Sequence, residues 1–265
     1  MERGLFRSPG IEPCIRNDMM IIETTDLTKR YGHQTAVKDL CLKVEDGEIF
    51  GFLGPNGAGK TTTLLMLLGL TRPSAGAAAV CGLDPLRMAR EVKRHVGYLP
   101  ENVGFYGDMD AVQSLEYVAD LNGIEVRLAR KKIYELLELV GLQDHARKKT
   151  GAFSRGMKQR LGIAEVLMKD PKLLLLDEPT LGLDPEGAIQ MIGLIEALNR
   201  SRRITVLLSS HNLSQVQRIS HRVGIMIAGQ LIAAGSVEDL ARERFGLGDK
   251  VYTLEEVYLE YFQEA

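Results

Sequence analysis

The amino-acid sequence predicts an α/β fold built around a mostly parallel β-sheet. Residues 54–61 match the pattern G-x-x-x-x-G-K-[ST]. This motif stands between an apolar run typical of a buried strand, residues 49–53, and an apolar segment of helix length, residues 62–70. Four consecutive leucines, residues 173–176, indicate a second strand that is buried on both faces of the sheet.

The succession of strand, glycine-rich turn and helix is the context in which this motif binds phosphate. The N–H groups of the turn converge at the positive end of the helix dipole, which favours an anion. Lys60 is expected to reach the β- and γ-phosphates, and the Thr61 hydroxyl is expected to be a Mg²⁺ ligand. A turn that merely connects two elements is the alternative, and the complete motif in this context argues against it. The sequence therefore predicts a site for a nucleoside triphosphate.

Composition sets the outer limits. The chain has 265 residues, of which 45% are hydrophobic and 26% charged, and these values are ordinary for a globular protein. A net charge of −2 gives no reason to expect nucleic acid as a ligand. Cys14, Cys41 and Cys81 are too few and too far apart for a disulfide framework or a zinc site, which suits a reducing cytoplasm. No run of 18 apolar residues occurs, so any membrane function would need another chain.

The region before the glycine-rich turn reads as mainly β-structure. Residues 1–19 have neither a period nor the apolar core of a signal peptide, and a disordered extension is expected there. Two β-rich segments, residues 21–27 and 37–44, suggest an antiparallel sheet beside the parallel core. Tyr31 follows the first segment, and an adenine ring could stack on its side chain. The alternative is that this lone tyrosine only fills space in the packing.

Between the glycine-rich turn and the four leucines the pattern becomes helical, which predicts a helical insert over about residues 102–160. A helix is expected at residues 128–142, closed by Gly141, and a shorter one at residues 112–121 with Asp110 near its start. The apolar residues of the longer helix are interpreted as core: Leu128, Ile133, Leu136, Leu137 and Val140.

Two carboxylates follow the four leucines, at the end of the strand where open parallel sheets hold their ligands. Asp177 is a candidate Mg²⁺ ligand, through water, and Glu178 a candidate base for the water that attacks the γ-phosphate. Taken alone, the pair could also be a solvated strand end. Another buried β-run, residues 204–209, leads to His211, which could donate a hydrogen bond to the γ-phosphate.

These motifs occur together in a known order. Tyr31 is followed by GPNGAGKTT (residues 54–62), FSRGMKQR (153–160), LLLLDEPT (173–180), LGLD (181–184) and SSH (209–211). With this order and spacing the sequence resembles the nucleotide-binding domains of ABC transporters. The resemblance covers residues 20–240 and leaves residues 241–265 as a C-terminal helix region. It implies an ABC-type P-loop ATPase core with an N-terminal antiparallel β subdomain and an inserted helical subdomain.

The resemblance also assigns roles. It makes Glu178 and His211 the catalytic residues, and Thr61, Glu101 and Asp177 the Mg²⁺ ligands. It implies that ATP is bound by Tyr31, Gly54, Pro55, Asn56, Gly57, Ala58, Gly59, Lys60, Thr61, Thr62, Glu101, Ser154, Gly156 and Asp184. In this family the signature segment, here residues 153–157, completes the ATP site of the opposite subunit. Two chains would then enclose two ATP molecules.

Two positions depart from the family pattern. Glu101 stands where the family has the Q-loop glutamine; a carboxylate keeps an oxygen for Mg²⁺ but loses the amide donor. Arg155 stands at the third position of the signature L-S-G-G-Q, where it adds positive charge near a polyphosphate. Ser154 and Gly156 are retained. Both variants are similar to those of exporter-type ATPase subunits, such as the drug, polysaccharide and copper-maturation systems.

The expected function is that of an ATP-hydrolysing motor subunit of an ABC exporter. Its expected partners are a separate transmembrane permease subunit and a second ATPase, the same chain or a related one, without nucleic acid. The expected location is cytoplasmic, on the inner face of the membrane. The alternative is a soluble ABC ATPase that remodels proteins or nucleoprotein complexes, but the chain lacks the tandem domains, coiled coils or basic surfaces usual there. A small-molecule kinase would leave residues 153–160 without a role.

The loop after Glu101 is expected to dock on the permease. Residues 102–110 contain Gly104 and Gly107, which permit a hinge, and Phe105 and Tyr106 as interface anchors. Alternatively, the two aromatic residues close the local core.

Overall fold

The computed structural model describes residues 20–246 and 252–263. The extension expected to be disordered, residues 1–19, lies outside this described part. The strands are β1 (Met20–Tyr31), β2 (Gln34–Leu40), β3 (Lys43–Glu45), β4 (Ile49–Leu53), β5 (Ala75–Val80), β6 (Val96–Leu99), β7 (Leu173–Asp177), β8 (Thr205–Ser210), β9 (Arg222–Ile227) and β10 (Gln230–Gly235). The α-helices are α1 (Lys60–Leu67), α2 (Ala89–His95), α3 (Ala111–Leu121), α4 (Val126–Leu139), α5 (Arg155–Leu167), α6 (Pro185–Arg202), α7 (Leu213–Ile219), α8 (Val237–Phe245) and α9 (Leu254–Gln263). Short 3-10 helices occur at Gln143–His145 and Thr150–Ala152.

The larger sheet confirms the predicted α/β class. Within the described residues its strand order is β10-β9-β4-β8-β7-β6, and only the pair β9–β10 is antiparallel. The strand β8 lies between β4, which leads into the glycine-rich turn, and β7, which ends at Asp177. Because parallel strands share one carboxyl edge, the turn, Asp177 and the end of β8 meet there.

The strand β7 is buried on both faces, as its four leucines predict. Leu174 and Leu176 point into a core shared with the helices of the insert, while Leu173 and Leu175 point into a core shared with α1 and the smaller sheet. A polar residue at any of these four positions would be desolvated without a partner, which explains the uninterrupted apolar run.

The smaller sheet is antiparallel and pairs β1 with β2, β3 and β5. The single strand expected over residues 37–44 is wrong, because this segment forms β2 and β3 with a break between them. The Thr24 hydroxyl on β1 donates to the Leu40 carbonyl and accepts from the Leu42 N–H, both at 2.8 Å. The side chain therefore adds to the backbone pairing at the break, where the Thr24 N–H also donates to the Leu42 carbonyl at 2.9 Å.

In the insert, α3 begins at Ala111, one residue before the predicted start, and Asp110 caps it. Its carboxylate accepts from the Gln113 N–H at 2.7 Å and the Gln113 side chain accepts from the Asp110 N–H at 2.9 Å, which is a complete capping box. The interpretation of Leu128 as core is wrong, because this side chain is 65% exposed. Ala129 occupies the buried position one turn before Ile133, so Leu128 faces about 100° away.

The chain after the larger sheet packs back on it. Helix α9 contacts α7, α8 and β9, and Tyr261 is buried there with the Arg244 guanidinium 3.9 Å from its ring centroid. The predicted boundaries at residues 160 and 240 both fall inside helices, α5 and α8. None of the helices in the described part of the chain is long and apolar enough to cross a membrane.

Candidate nucleotide-binding and catalytic site

The glycine-rich turn leads directly into α1, which begins at Lys60 rather than at the expected residue 62. Gly59 precedes the helix with φ of 104°, and a Cβ there would lie 2.4 Å from the Ala36 carbonyl oxygen. A Cβ on Gly54 would lie 2.2 Å from the Met226 carbonyl oxygen. Only glycine fits at these two positions, because the adjoining segments pack against the turn itself.

Lys60 is buried, with 6% of its surface exposed. Its ammonium donates to the Gly54 carbonyl at 2.6 Å and to the Pro55 carbonyl at 3.2 Å. It also lies 3.5 Å from Glu178 Oε1. The cation that the motif predicts for the phosphates is thus held against its own turn, beside the candidate base.

The predicted Mg²⁺ ligands Thr61 and Asp177 come together. The Thr61 hydroxyl donates to Asp177 Oδ2 at 2.7 Å, and the Ser209 hydroxyl donates to Asp177 Oδ1 at 2.5 Å. Ser209 was not among the predicted site residues; its signal is its position in SSH at the end of β8, which pairs it with Asp177 across the sheet. Burial and then the charge of Asp177 raise the pKa of Tyr98 on β6 to about 12.

Glu178 is held from several sides. Its φ of 49° is unusual for a residue with a side chain, and such strain is found at functional sites. Its N–H donates to the Ser209 carbonyl at 3.1 Å. The His211 Nδ1 lies 2.9 Å from Glu178 Oε2, while Oε1 is buried without a hydrogen bond and faces Lys60. The two residues predicted to be catalytic, Glu178 and His211, therefore lie in contact.

Lys60, Thr61, Asp177 and Glu178 line one cleft of about 390 Å³, whereas Gly54 and His211 are not among its lining residues. Its lining residues are Tyr31, Gln34, Ala36, Pro55, Asn56, Gly57, Ala58, Gly59, Lys60, Thr61, Thr62, Glu101, Asp177 and Glu178. Gln34 and Ala36 were not predicted, because only the β1–β2 hairpin brings them to the turn. Tyr31 is half exposed, and the Lys29 ammonium lies 4.7 Å from its ring centroid.

The other predicted nucleotide-binding residues lie in a separate cleft of about 330 Å³. Ser154, Gly156 and Asp184 line it, and none of its lining residues belongs to the first cleft. Ser154 caps α5 by accepting from the Met157 N–H at 3.2 Å, and Asp184 caps α6 by accepting from the Gly187 N–H at 3.0 Å. Within one chain, the structure does not bring these residues to the glycine-rich turn.

A larger cleft, of about 580 Å³, lies away from this chemistry. Pro171, Lys172 and Ile204 line it, and they immediately precede β7 and β8. It therefore opens at the amino ends of the strands, opposite Asp177 and Glu178. Its larger volume is therefore no evidence that it is the reaction site.

The first cleft offers the parts of a phosphoryl-transfer site. Backbone N–H groups and a buried ammonium suit a polyphosphate. Thr61 and Asp177 provide the hard oxygen atoms that Mg²⁺ prefers, so the donor set fits that ion. Glu178 provides a carboxylate with one unsatisfied oxygen at which a water could be held.

Comparisons with known proteins agree with this chemistry. The family model described as ABC transporter matches residues 37–181, more than half of the chain. The bacitracin transport ATP-binding protein BcrA of Bacillus licheniformis is 48% identical over 212 residues, which cover 80% of this chain and 68% of that protein. The linearmycin resistance ATP-binding protein LnrL of Bacillus subtilis is 36% identical over 234 residues, which cover 88% of this chain and 74% of that protein.

Solved structures share the fold. An ATP-binding subunit of an ABC transporter superimposes with a TM-score of 0.81 at 28% identity, over 91% of this chain and 99% of that one. The ATP-binding cassette MJ0796, solved as a dimer in a post-hydrolysis state with ADP and Pi, superimposes with a TM-score of 0.73 at 22% identity, over 82% of this chain and 98% of that one.

Proposed function

This chain belongs to the ATP-binding subunits of ABC transporters and is an ATP-hydrolysing motor subunit of that family, and from this premise we propose that it drives an exporter through a separate transmembrane permease. The names of the two relatives above refer to bacitracin transport and to linearmycin resistance. Both names support a role in moving cargo outward. In such a system the subunit lies in the cytoplasm, on the inner face of the membrane.

One observation carries the catalytic part of the proposal. Glu178 stands between Lys60 and His211 at the carboxyl end of β7, beside the glycine-rich turn. In the proposed reaction, the Glu178 carboxylate orients the attacking water and accepts its proton. Lys60 leaves the carbonyls of its own turn for the β- and γ-phosphates, and His211 donates to the γ-phosphate.

Thr61 and Asp177 are proposed to hold Mg²⁺, with Glu101 on the wall of the same cleft. When bound, the ion would neutralise charge on the β- and γ-phosphate oxygens. Tyr31 is proposed to stack on the adenine. Lys29 lies over its ring and would add positive charge near the base.

Two copies are proposed to complete the site. The cleft with Ser154, Gly156 and Asp184 shares no lining residue with the cleft of the turn, so in this chain the two halves are separate. A second copy, or a related ATPase, placed head to tail would bring one half against the other. The dimeric form of the MJ0796 cassette is consistent with such an arrangement.

Replacement of Glu178 by glutamine tests the catalytic part. The Glu178→Gln variant should bind Mg-ATP with unchanged affinity, because Lys60 and the turn are intact. Its turnover should fall by about 10²-fold or more, because the amide cannot accept the proton. Nucleotide titration and phosphate release measure the two properties.

The control is Glu135→Gln, which removes an exposed carboxylate on α4 and should change neither property. Turnover of the Glu178 variant close to that of the wild type would exclude Glu178 as the base.

A further inference from the structure

Arg155 opens helix α5 and lies against the loop that precedes α6. A Cβ added to Gly182 in that loop would lie 2.6 Å from Arg155 Nη1 and 2.9 Å from Cζ. The guanidinium therefore fills the space that a side chain at residue 182 would need. Gly182 also has φ of 69°, a conformation that glycine adopts without strain.

The same two segments approach each other again on the C-terminal side of this contact. A Cβ on Gly156 would lie 3.7 Å from Leu183 Cδ2, so the space between α5 and the loop is about that of one methyl group. Further along, Arg160 Nη1 donates to Gln190 Oε1 at 2.6 Å and joins α5 to α6. The Arg155 contact lies at the end of this seam where both helices are capped, by Ser154 and by Asp184.

Arg155 also borders both neighbouring clefts. It lines the cleft with Ser154 and Asp184, and a smaller one of about 220 Å³ with Glu101 and Gln159. In the part of the chain that the structure describes, its guanidinium makes no hydrogen bond or ion pair. Arg155 is exposed, and its guanidinium lies over Gly182, where its planar shape and that of a lysine ammonium differ.

We propose that Arg155 is a positioning residue for ATP hydrolysis: its guanidinium holds residues 181–184 against the start of α5. Ser154 and Asp184 stand on different elements, and the Arg155 contact makes them one rigid surface. The inference rests on the proposed two-copy site, in which that surface meets the nucleotide of the other copy. Arg155 acts on turnover through the loop and takes no part in binding ATP to its own turn.

A double-mutant cycle between residues 155 and 182 tests this role. Arg155→Ala removes the guanidinium, and Gly182→Ala displaces it, because it is the far end of a flexible side chain. Both changes break one contact, so their effects should not add. Each should lower kcat by about five- to tenfold, and the double variant should be no slower than the slower single one. The KM for ATP should stay within about twofold, because the first cleft is intact.

Three further variants separate this role from general effects. Gly141→Ala places a side chain at φ of 65° with nothing within 4 Å, so it reproduces the backbone strain without the contact and should keep wild-type kcat. Lys131→Ala removes an exposed cation on α4 that lines neither of the clefts bordered by Arg155, and it should also keep wild-type kcat. Arg155→Lys keeps the charge but should not restore kcat.

The outcomes are distinct. Additive losses, a wild-type kcat in Arg155→Ala, or full activity in Arg155→Lys would overturn the positioning role while the wild type hydrolyses ATP normally. A wild type that neither hydrolyses ATP nor associates in its presence would overturn the proposed function as well.

Discussion

At the scale of single residues, Lys60 shows how the site is kept ready. A buried ammonium needs partners, and here it has two carbonyl oxygens of its own turn and the Glu178 carboxylate. A polyphosphate offers stronger, charge-assisted partners in the same place. In the proposed site, ATP binding would therefore replace the present partners of Lys60 by phosphate oxygens. Glu178 would then be free to hold the water.

Lys60→Ala should weaken ATP binding by about 10- to 100-fold, because a charged hydrogen-bond donor is lost and Glu178 loses its counter-ion. This contrasts with Glu178→Gln, which should spare binding. Equilibrium titration with a fluorescent nucleotide measures the difference. Lys148→Ala, an exposed lysine of the insert, serves as the control. Unchanged affinity in Lys60→Ala would remove Lys60 from the phosphate site.

Site residues that carry their chemistry in a local motif could be predicted. Residues that reach the site only because two strands pair could not. Lys60, Thr61 and Asp177 carry their chemistry in a local pattern, and the structure brings them within one cleft. Ser209 stands in the SSH motif, but it lies 32 residues from Asp177 along the chain, and only the pairing of β7 with β8 brings the two together. The roles of the site residues stay predictions that the variants above test.

At the scale of elements, the loop after Glu101 places its two aromatic residues in different environments. Phe105 is half-buried and packs against the core, which agrees with the alternative that this side chain closes the local core. Tyr106 is 63% exposed and lies edge-on to Tyr117 of α3, with 5.8 Å between ring centroids. Period and composition cannot separate two adjacent aromatic residues, because the direction of each depends on how the loop meets α3.

Tyr106→Ala should weaken capture of the permease while leaving ATP binding unchanged, because an exposed aromatic anchor is removed. Phe105→Ala should instead lower the thermal stability, by about 2 to 4 °C in melting temperature, as a half-buried core contact is lost. A pull-down on the detergent-solubilised permease and a melting curve measure these effects.

Leu259→Ala, which removes an exposed apolar side chain on α9, is the control for the pull-down. Full capture by the Tyr106 variant would place the docking face elsewhere on the molecule.

At the scale of the whole molecule, the order of motifs predicted the core, the antiparallel subdomain and the insert. It did not predict how the C-terminal helices pack, because α8 and α9 carry no motif. Tyr261 is buried and α9 lies on α7 and β9, so this region is part of the fold rather than a tail. The separation of the two clefts also appears only at this scale, and in the proposed two-copy site it makes association a requirement for hydrolysis.

ATP should therefore drive two copies together, most visibly in Glu178→Gln, where hydrolysis does not empty the site. A ligand that binds only the associated form shifts the equilibrium by mass action. Light scattering with and without Mg-ATP should show a doubling of mass in this variant. Adding Ser154→Arg should abolish the doubling, because a long side chain would stand in the cleft that receives the other copy's nucleotide.

Ser154 also caps α5, so its loss could act through stability at a cost of about 1 kcal/mol. Ser236→Arg is matched to this effect, because Ser236 caps α8 by accepting from the Asp239 N–H at 3.1 Å. In the Glu178→Gln background, Ser236→Arg should still double in mass. Equal loss in both variants would trace the effect to capping, and doubling in both would remove Ser154 from the shared site. Loss in Ser154→Arg alone is the expected result, since only that residue lies at the surface proposed to complete the site of the second copy.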